Sequence, residues 1–96
     1  MTGLSETDLV VRNPGLLTTE VDGEVIAMSV ENGACYGLNA VGSRVWALIE
    51  EPRSIDSLCA QLLDEFEVAP DVCKREVVDL VAALRVENMV RIETAG

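Results

Sequence analysis

Residues Glu24 to Ile49 read EVIAMSVENGACYGLNAVGSRVWALI, and this stretch decides the fold. Two runs of alternating apolar and polar residues, Glu24 to Val30 and Ala34 to Leu38, flank Glu31-Asn32-Gly33-Ala34. Alternation of period two is the mark of a half-buried strand, and Asn-Gly between two such runs is a strong hairpin signal. At Asn39 the period changes. Asn39 can accept a backbone N–H at the start of a helix whose inward positions are Val41, Val45, Trp46 and Ile49.

Working outward toward the N-terminus, Leu16 to Val21 reads as another strand, joined to the first run through the tight-turn pair Asp22-Gly23. The three runs make an antiparallel meander. Before them, Met1 to Pro14 is polar except for Leu9-Val10-Val11, and it ends in the turn signal Asn13-Pro14-Gly15. Residues 1–14 are therefore an arm or a first short strand. Toward the C-terminus, Pro52 closes the first helix and Ser54 caps a second, in which Ile55, Leu58, Cys59, Leu62 and Phe66 recur at helical spacing. Glu67-Val68-Ala69-Pro70 is a short connection. A third helix runs from about Asp71 to Glu87, Asn88 is a left-handed exit residue, and Val90-Arg91-Ile92 is a short terminal strand or an extended tail. The expectation is strands at 16–21, 24–30 and 34–38 and helices at 40–50, 55–66 and 71–87. The domain would be 15–93, with 94–96 as a tail.

Composition limits what such a chain can do. With 96 residues and 49% hydrophobic content there is enough chain for one core. Seventeen Asp and Glu face seven Lys and Arg, for a formal charge of -10, so attraction to phosphate backbones is opposed. The sequence has no run of 18 apolar residues and no secretory signal pattern, and the expected location is the cytoplasm. Cys35, Cys59 and Cys73 have no histidine to complete a mixed zinc site, and small buried apolar side chains explain them better than a metal site or a disulfide framework. Catalysis lacks parts: there is no His for base chemistry at neutral pH, no GxxxxGKS phosphate loop and no Cys-His pairing. Neither a cofactor nor a metal is expected.

Three strands followed by three helices and a strand-like segment outline an α+β domain, winged helix-turn-helix-like. The second and third helices could form a helix-turn-helix, with the third reading bases. Its side chains argue against this. Between Asp71 and Glu87, Lys74, Arg75 and Arg85 stand among Asp71, Glu76, Asp79 and Glu87, so a duplex would meet little positive field. The helix is also broadly apolar: Cys73, Val77, Leu80 and Leu84 form one stripe, and Lys74, Val78, Val81 and Arg85 form a second beside it. That second stripe is either the margin of a wide core face with snorkelling basic ends or one wall of a groove for an apolar peptide segment flanked by acidic groups. The sheet can supply the other wall, because the Ala34 to Leu38 strand carries no lysine or proline to defend its edge. Tyr36 offers a rigid amphipathic surface there, as half-core or as ligand contact.

Three groups of residues stand out together: Tyr36-Gly37-Leu38-Asn39 followed by Gly42 and Val45-Trp46, then Ile55-Asp56-Ser57-Leu58, and then Val77-Val78-Asp79-Leu80-Val81-Ala82-Ala83-Leu84 with Met89-Val90. On them, residues 15–93 resemble the PqqD-like family, recognition elements for precursor peptides of ribosomally made natural products. The resemblance implies a non-catalytic winged-helix-like fold that binds a leader peptide as a fourth strand against the third strand and along the third helix. Carried onto this chain, the peptide-binding residues are Ala34, Cys35, Tyr36, Gly37 and Leu38 on the edge and Lys74, Val78, Val81 and Arg85 on the helix. Asn39 and Trp46 match as scaffold, a helix cap and a core anchor. Asn88 replaces the usual glycine at the exit of the third helix, a position Asn tolerates. The implied partners are a precursor leader and a modifying enzyme or leader peptidase. Length and acidity favour the discrete proteins of lasso peptide biosynthesis, and the alternatives are a peptide chaperone in pyrroloquinoline quinone biosynthesis and a winged-helix nucleic-acid-binding protein.

Overall fold

The turn signals act through the sign of φ. In the computed structural model, which describes residues 8–31 and 33–93, Asp22 and Gly23 have φ of 53° and 82°, the left-handed pair that a tight hairpin between right-twisted strands requires. They join β2 (Leu16–Val21) to β3 (Glu24–Ser29), with Val21 opposite Glu24 and Leu16 opposite Ser29. A second turn, in which the Gly33 N–H donates to the Ser29 carbonyl at 2.8 Å, leads into β4 (Ala34–Gly37). Asn32, half of the Asn-Gly pair, lies outside the described residues, as do residues 1–7 of the arm and the 94–96 tail. The sheet order is β2-β3-β4.

A closed cycle of hydrogen bonds joins this sheet to the first helix, α1 (Ala40–Leu48). The Leu38 N–H donates to the Val25 carbonyl at 2.8 Å, the Val25 N–H donates to Ser43 Oγ at 2.8 Å, and the Ser43 hydroxyl donates to the Leu38 carbonyl at 3.2 Å. Ser43 is buried, so these groups have little water to replace one another. The Asn39 side chain meanwhile accepts the Gly42 N–H at 2.8 Å as the expected cap. Gly42 is close-packed: a Cβ there would stand 3.3 Å from Asn39 Oδ1 and 3.4 Å from the Leu38 side chain.

A second sheet was not foreseen. The apolar patch near the N-terminus forms β1 (Leu9–Arg12), the C-terminal segment forms β6 (Val90–Glu93), and the two pair antiparallel with Val10 opposite Ile92. A two-residue strand, β5 (Arg53–Ser54), joins the other side of β1, giving the order β5-β1-β6. Arg12 N–H donates to the Ile49 carbonyl at 3.0 Å and Asn13 N–H to the Met89 carbonyl at 2.9 Å. This small sheet thereby fastens the ends of α1 and of the last helix to one another.

Ser54 caps α2 (Ile55–Glu65), accepting the Ser57 N–H at 3.0 Å, and α3 (Pro70–Val86) begins with Pro70, whose missing N–H costs nothing in a first turn. Asn88 leaves α3 at φ 62°. Val45 and Trp46 from α1 with Ile49 at its C-terminal cap, Ile55, Leu58 and Leu62 from α2, and Val77, Val81 and Leu84 from α3 meet Val10, Ala27, Leu38 and Met89 in one core. No helix among the described residues is long and apolar enough to cross a membrane.

Trp46 is 2% exposed, and the Arg12 guanidinium lies 5.1 Å from its ring centre. Trp46→Ala is expected to cost about 3–5 kcal/mol, as for other large aromatic truncations in cores. Ser43→Ala, which leaves the Val25 N–H and the Leu38 carbonyl short of a partner, is expected to cost about 1–3 kcal/mol. Urea denaturation followed by circular dichroism measures both. A loss under about 0.5 kcal/mol for Ser43→Ala would show that the cycle holds nothing.

Candidate functional site

β4 is the end strand of its sheet, and among the described residues no strand pairs with its outer side. Its side chains alternate. Ala34 and Tyr36 are half-buried and pack on the core, whereas Cys35 and Gly37 are exposed. Beyond the open edge lies a cleft of about 310 Å³ between β4, the start of α1 and one flank of α3. Tyr36, Leu38, Val41 and Val45 line one side of it, and Val77 and Leu80 line the other. Glu76 and Asp79, both exposed, stand on its α3 side.

This arrangement brings together Tyr36, Gly37 and Leu38 of the predicted edge. Leu38 is closed to a further strand, because its N–H is committed to Val25 and its carbonyl accepts from Ser43. By the alternation of an antiparallel ladder Ala34 and Tyr36 likewise turn their backbone groups toward β3, so within the Ala34–Gly37 edge it is Cys35 and Gly37 whose N–H and C=O face outward, open to a further strand. Edge strand β2 does not compete on equal terms, since Leu17 to Val21 are exposed and give an added strand little apolar surface to cover.

Lys74, Val78, Val81 and Arg85, the helix residues of the predicted site, do not line this cleft. Successive residues of an α-helix are rotated by about 100°, so Lys74, Val78 and Arg85 share one flank of α3, and Glu76, Asp79 and Leu80 share nearly the opposite one. The cleft is on the second flank. Val81, expected as groove floor, has no exposed surface and belongs to the core, while Leu80, expected in the core, is half-buried and lines the cleft. Val78 packs against the core at its margin, with Lys74 and Arg85 exposed beside it. The two stripes differ by a small rotation, and the sequence fixes their spacing but not which way the helix turns toward its neighbours. Glu76 and Asp79 were missed as lining residues for the same reason.

Three carboxylates elsewhere are held by arginines. Arg44 on α1 grips Glu65 at the end of α2 through Nε and Nη2 at 2.8 and 2.9 Å, and that contact, helped by Gln61, holds the Glu65 carboxyl below its usual range. Arg12 pairs with Glu50 and Arg91 with Glu93, each at 3.2 Å. The cysteines are all free thiols, and among the described residues no three His, Cys, Asp or Glu are grouped to hold a metal. Burial, with Cys73 against it, pushes the Cys59 thiol up to about 11.

The model of the family described as coenzyme PQQ synthesis protein D, PqqD, matches residues 24–90. No curated protein matches in sequence. Among solved structures, TbiB1 in complex with the TbiA(beta) leader peptide is similar with a TM-score of 0.75 and 26% identity, covering 84% of this chain and 94% of that one. A lasso peptide synthetase B1 complexed with the leader peptide gives a TM-score of 0.73 over 85% of this chain and 96% of that one, and its 18% identity shows the fold alone.

The thiols provide a check on this geometry. Iodoacetamide at pH 8 is expected to modify exposed Cys35 first and to leave buried Cys73 and high-pKa Cys59 at least tenfold slower, measured by mass spectrometry of digests. Because the Cys59 pKa is raised on folding from 9.0 to about 11, its stabilising contribution is present below pH 9 and is lost as pH rises toward 11. Denaturation of the wild-type chain and of Cys59→Ala should therefore differ in slope only across that alkaline window.

Proposed function

Because the chain belongs to the PqqD family, we propose that it is a non-catalytic recognition element that captures the leader segment of a ribosomally made precursor peptide as an added strand on β4. The captured leader is presented to a modifying enzyme or leader peptidase of the same pathway. The observation that carries this reading is the conjunction of a strand edge at Ala34–Gly37, unpaired among the described residues, with an apolar cleft beside it. Main-chain pairing supplies affinity that tolerates sequence change, and alternate side chains entering the cleft supply selection. That the 26%-identical TbiB1 was solved with a leader peptide supports the same occupant.

A leader is suited to this surface because it is disordered before binding and gains a strand partner and a packed side chain together. A nucleic acid is not: the formal charge of -10 opposes the release of counterions on which duplex affinity depends. We place the pathway in lasso peptide biosynthesis, a reading supported by the likeness in fold to a lasso peptide synthetase B1 solved with its leader peptide. The family description favours the second reading, a leader chaperone in pyrroloquinoline quinone biosynthesis, and binding assays with the two kinds of leader separate them.

Amide shift mapping with the cognate leader is expected to perturb Ala34–Leu38 and the Glu76–Leu80 flank. Leu80→Asp, which sets a charge in the apolar lining, should weaken binding at least 30-fold, whereas Lys74→Ala and Arg85→Ala on the far flank should change it less than twofold. Loss of binding on either far-flank change, with Leu80→Asp harmless, would place the peptide on the other side of α3. A random duplex titrated at low salt by fluorescence anisotropy should bind more weakly than the leader, and the reverse order would overturn the reading.

A further inference from the structure

Resting on the reading of β4 as a leader-binding edge, we propose that the cleft selects leaders in which a bulky aliphatic side chain lies two residues from a lysine or arginine. An added strand presents every second side chain to the same face, about 6.6–6.8 Å apart. On that face the present cleft offers two different surfaces. Tyr36, Val41, Val45 and Leu80 form an apolar bed, and Glu76 and Asp79 rise from α3 beside it. The two carboxylates are three residues apart on one helix, so their Cβ atoms are about 5–6 Å from each other. A cation two residues from the side chain in the bed can reach either carboxylate.

These carboxylates are available to a cation brought into the cleft. Glu50, Glu65 and Glu93 are each engaged by an arginine, whereas Glu76 and Asp79 have no ion pair among the described residues, and no Lys or Arg lines the cleft. A leader carboxylate brought to this wall would meet two like charges, and a lysine or arginine would meet two opposite ones. Charges at the rim of an interface of this kind act chiefly on which partner is accepted.

The test uses the full chain as bait for a phage-displayed library of random 12-residue peptides. Enriched sequences are expected to carry Lys or Arg two residues from Leu, Ile or Val. For the tightest of them, made synthetically, exchanging that cation for Glu should weaken binding about tenfold at 50 mM NaCl. The difference should shrink to about twofold at 0.5 M, where screening is severe. Glu76→Lys with Asp79→Lys should invert the preference, and Glu76→Gln with Asp79→Asn should abolish it. Asp64→Lys with Glu67→Lys, on exposed sites away from the cleft, changes the net charge by the same amount and should leave the preference intact.

A preference that survives Glu76→Lys with Asp79→Lys, or that disappears equally with Asp64→Lys and Glu67→Lys, overturns the proposal, as does enrichment without charge bias. Amide shifts separate the two levels. Enriched peptides that perturb residues 34–38 without charge preference sink this selection rule alone. Peptides that perturb other faces, or no enrichment at all, sink the strand-addition reading with it.

Discussion

Three polar groups bonded in a cycle hold the sheet against the first helix. The Leu38 N–H goes to Val25, the Val25 N–H to Ser43, and the Ser43 hydroxyl back to Leu38. Buried backbone groups left unpaired are costly, so this cycle admits one placement of α1 relative to β3 and the end of β4. The Asn39 cap and the tight seat of Gly42 sharpen the same corner. Since Val41 and Val45 follow on α1, their distance from the β4 edge is set there, and with it the width of the cleft.

The corner also limits how the site can be used. With β4 ending at Gly37 and α1 beginning at Ala40, the edge confines an added strand to a few residues of main-chain pairing. Few backbone bonds mean that side chains in the cleft must contribute much of the affinity and nearly all of the selection. The far sheet has a different task. By pairing β1 with β6 and bonding to Ile49 and Met89, it anchors the two ends of the helical layer, so that α3 is held at a fixed distance from β4 by contacts remote from the cleft.

Electrostatics then separates attraction from selection. The formal charge of -10 opposes long-range attraction to nucleic acid, but it does not distinguish one peptide from another. The paired arginines at Glu50, Glu65 and Glu93 neutralise acids elsewhere and leave Glu76 and Asp79 as local charges at the groove. The wall is thus acidic where the sequence pattern, with Lys74 and Arg85 in view, suggested cationic ends.

The local punctuation was largely legible in the sequence. Asp22-Gly23, Asn39, Ser54 and Asn88 each act within a few residues through φ or a capping bond, and each stands where its chemistry predicts, whereas Pro70, read as connection, is the first residue of α3. The strand edge was legible too, since period-two alternation and the absence of lysine or proline are properties of the segment itself. What the chain alone did not reveal depends on residues far apart in it. The pairing of β1 with β6 joins segments near opposite ends, each too short to announce a partner. Ser43 reads as an ordinary polar helix residue until Val25 is brought to it. The flank of α3 that meets the cleft, Glu76 and Leu80 instead of Lys74 and Val78, follows from the rotation of that helix about its axis. Apolar stripes only a helical step apart leave this rotation undetermined, and packing against α1, α2 and β6 fixes it by burying Val81 and leaving Leu80 at the edge.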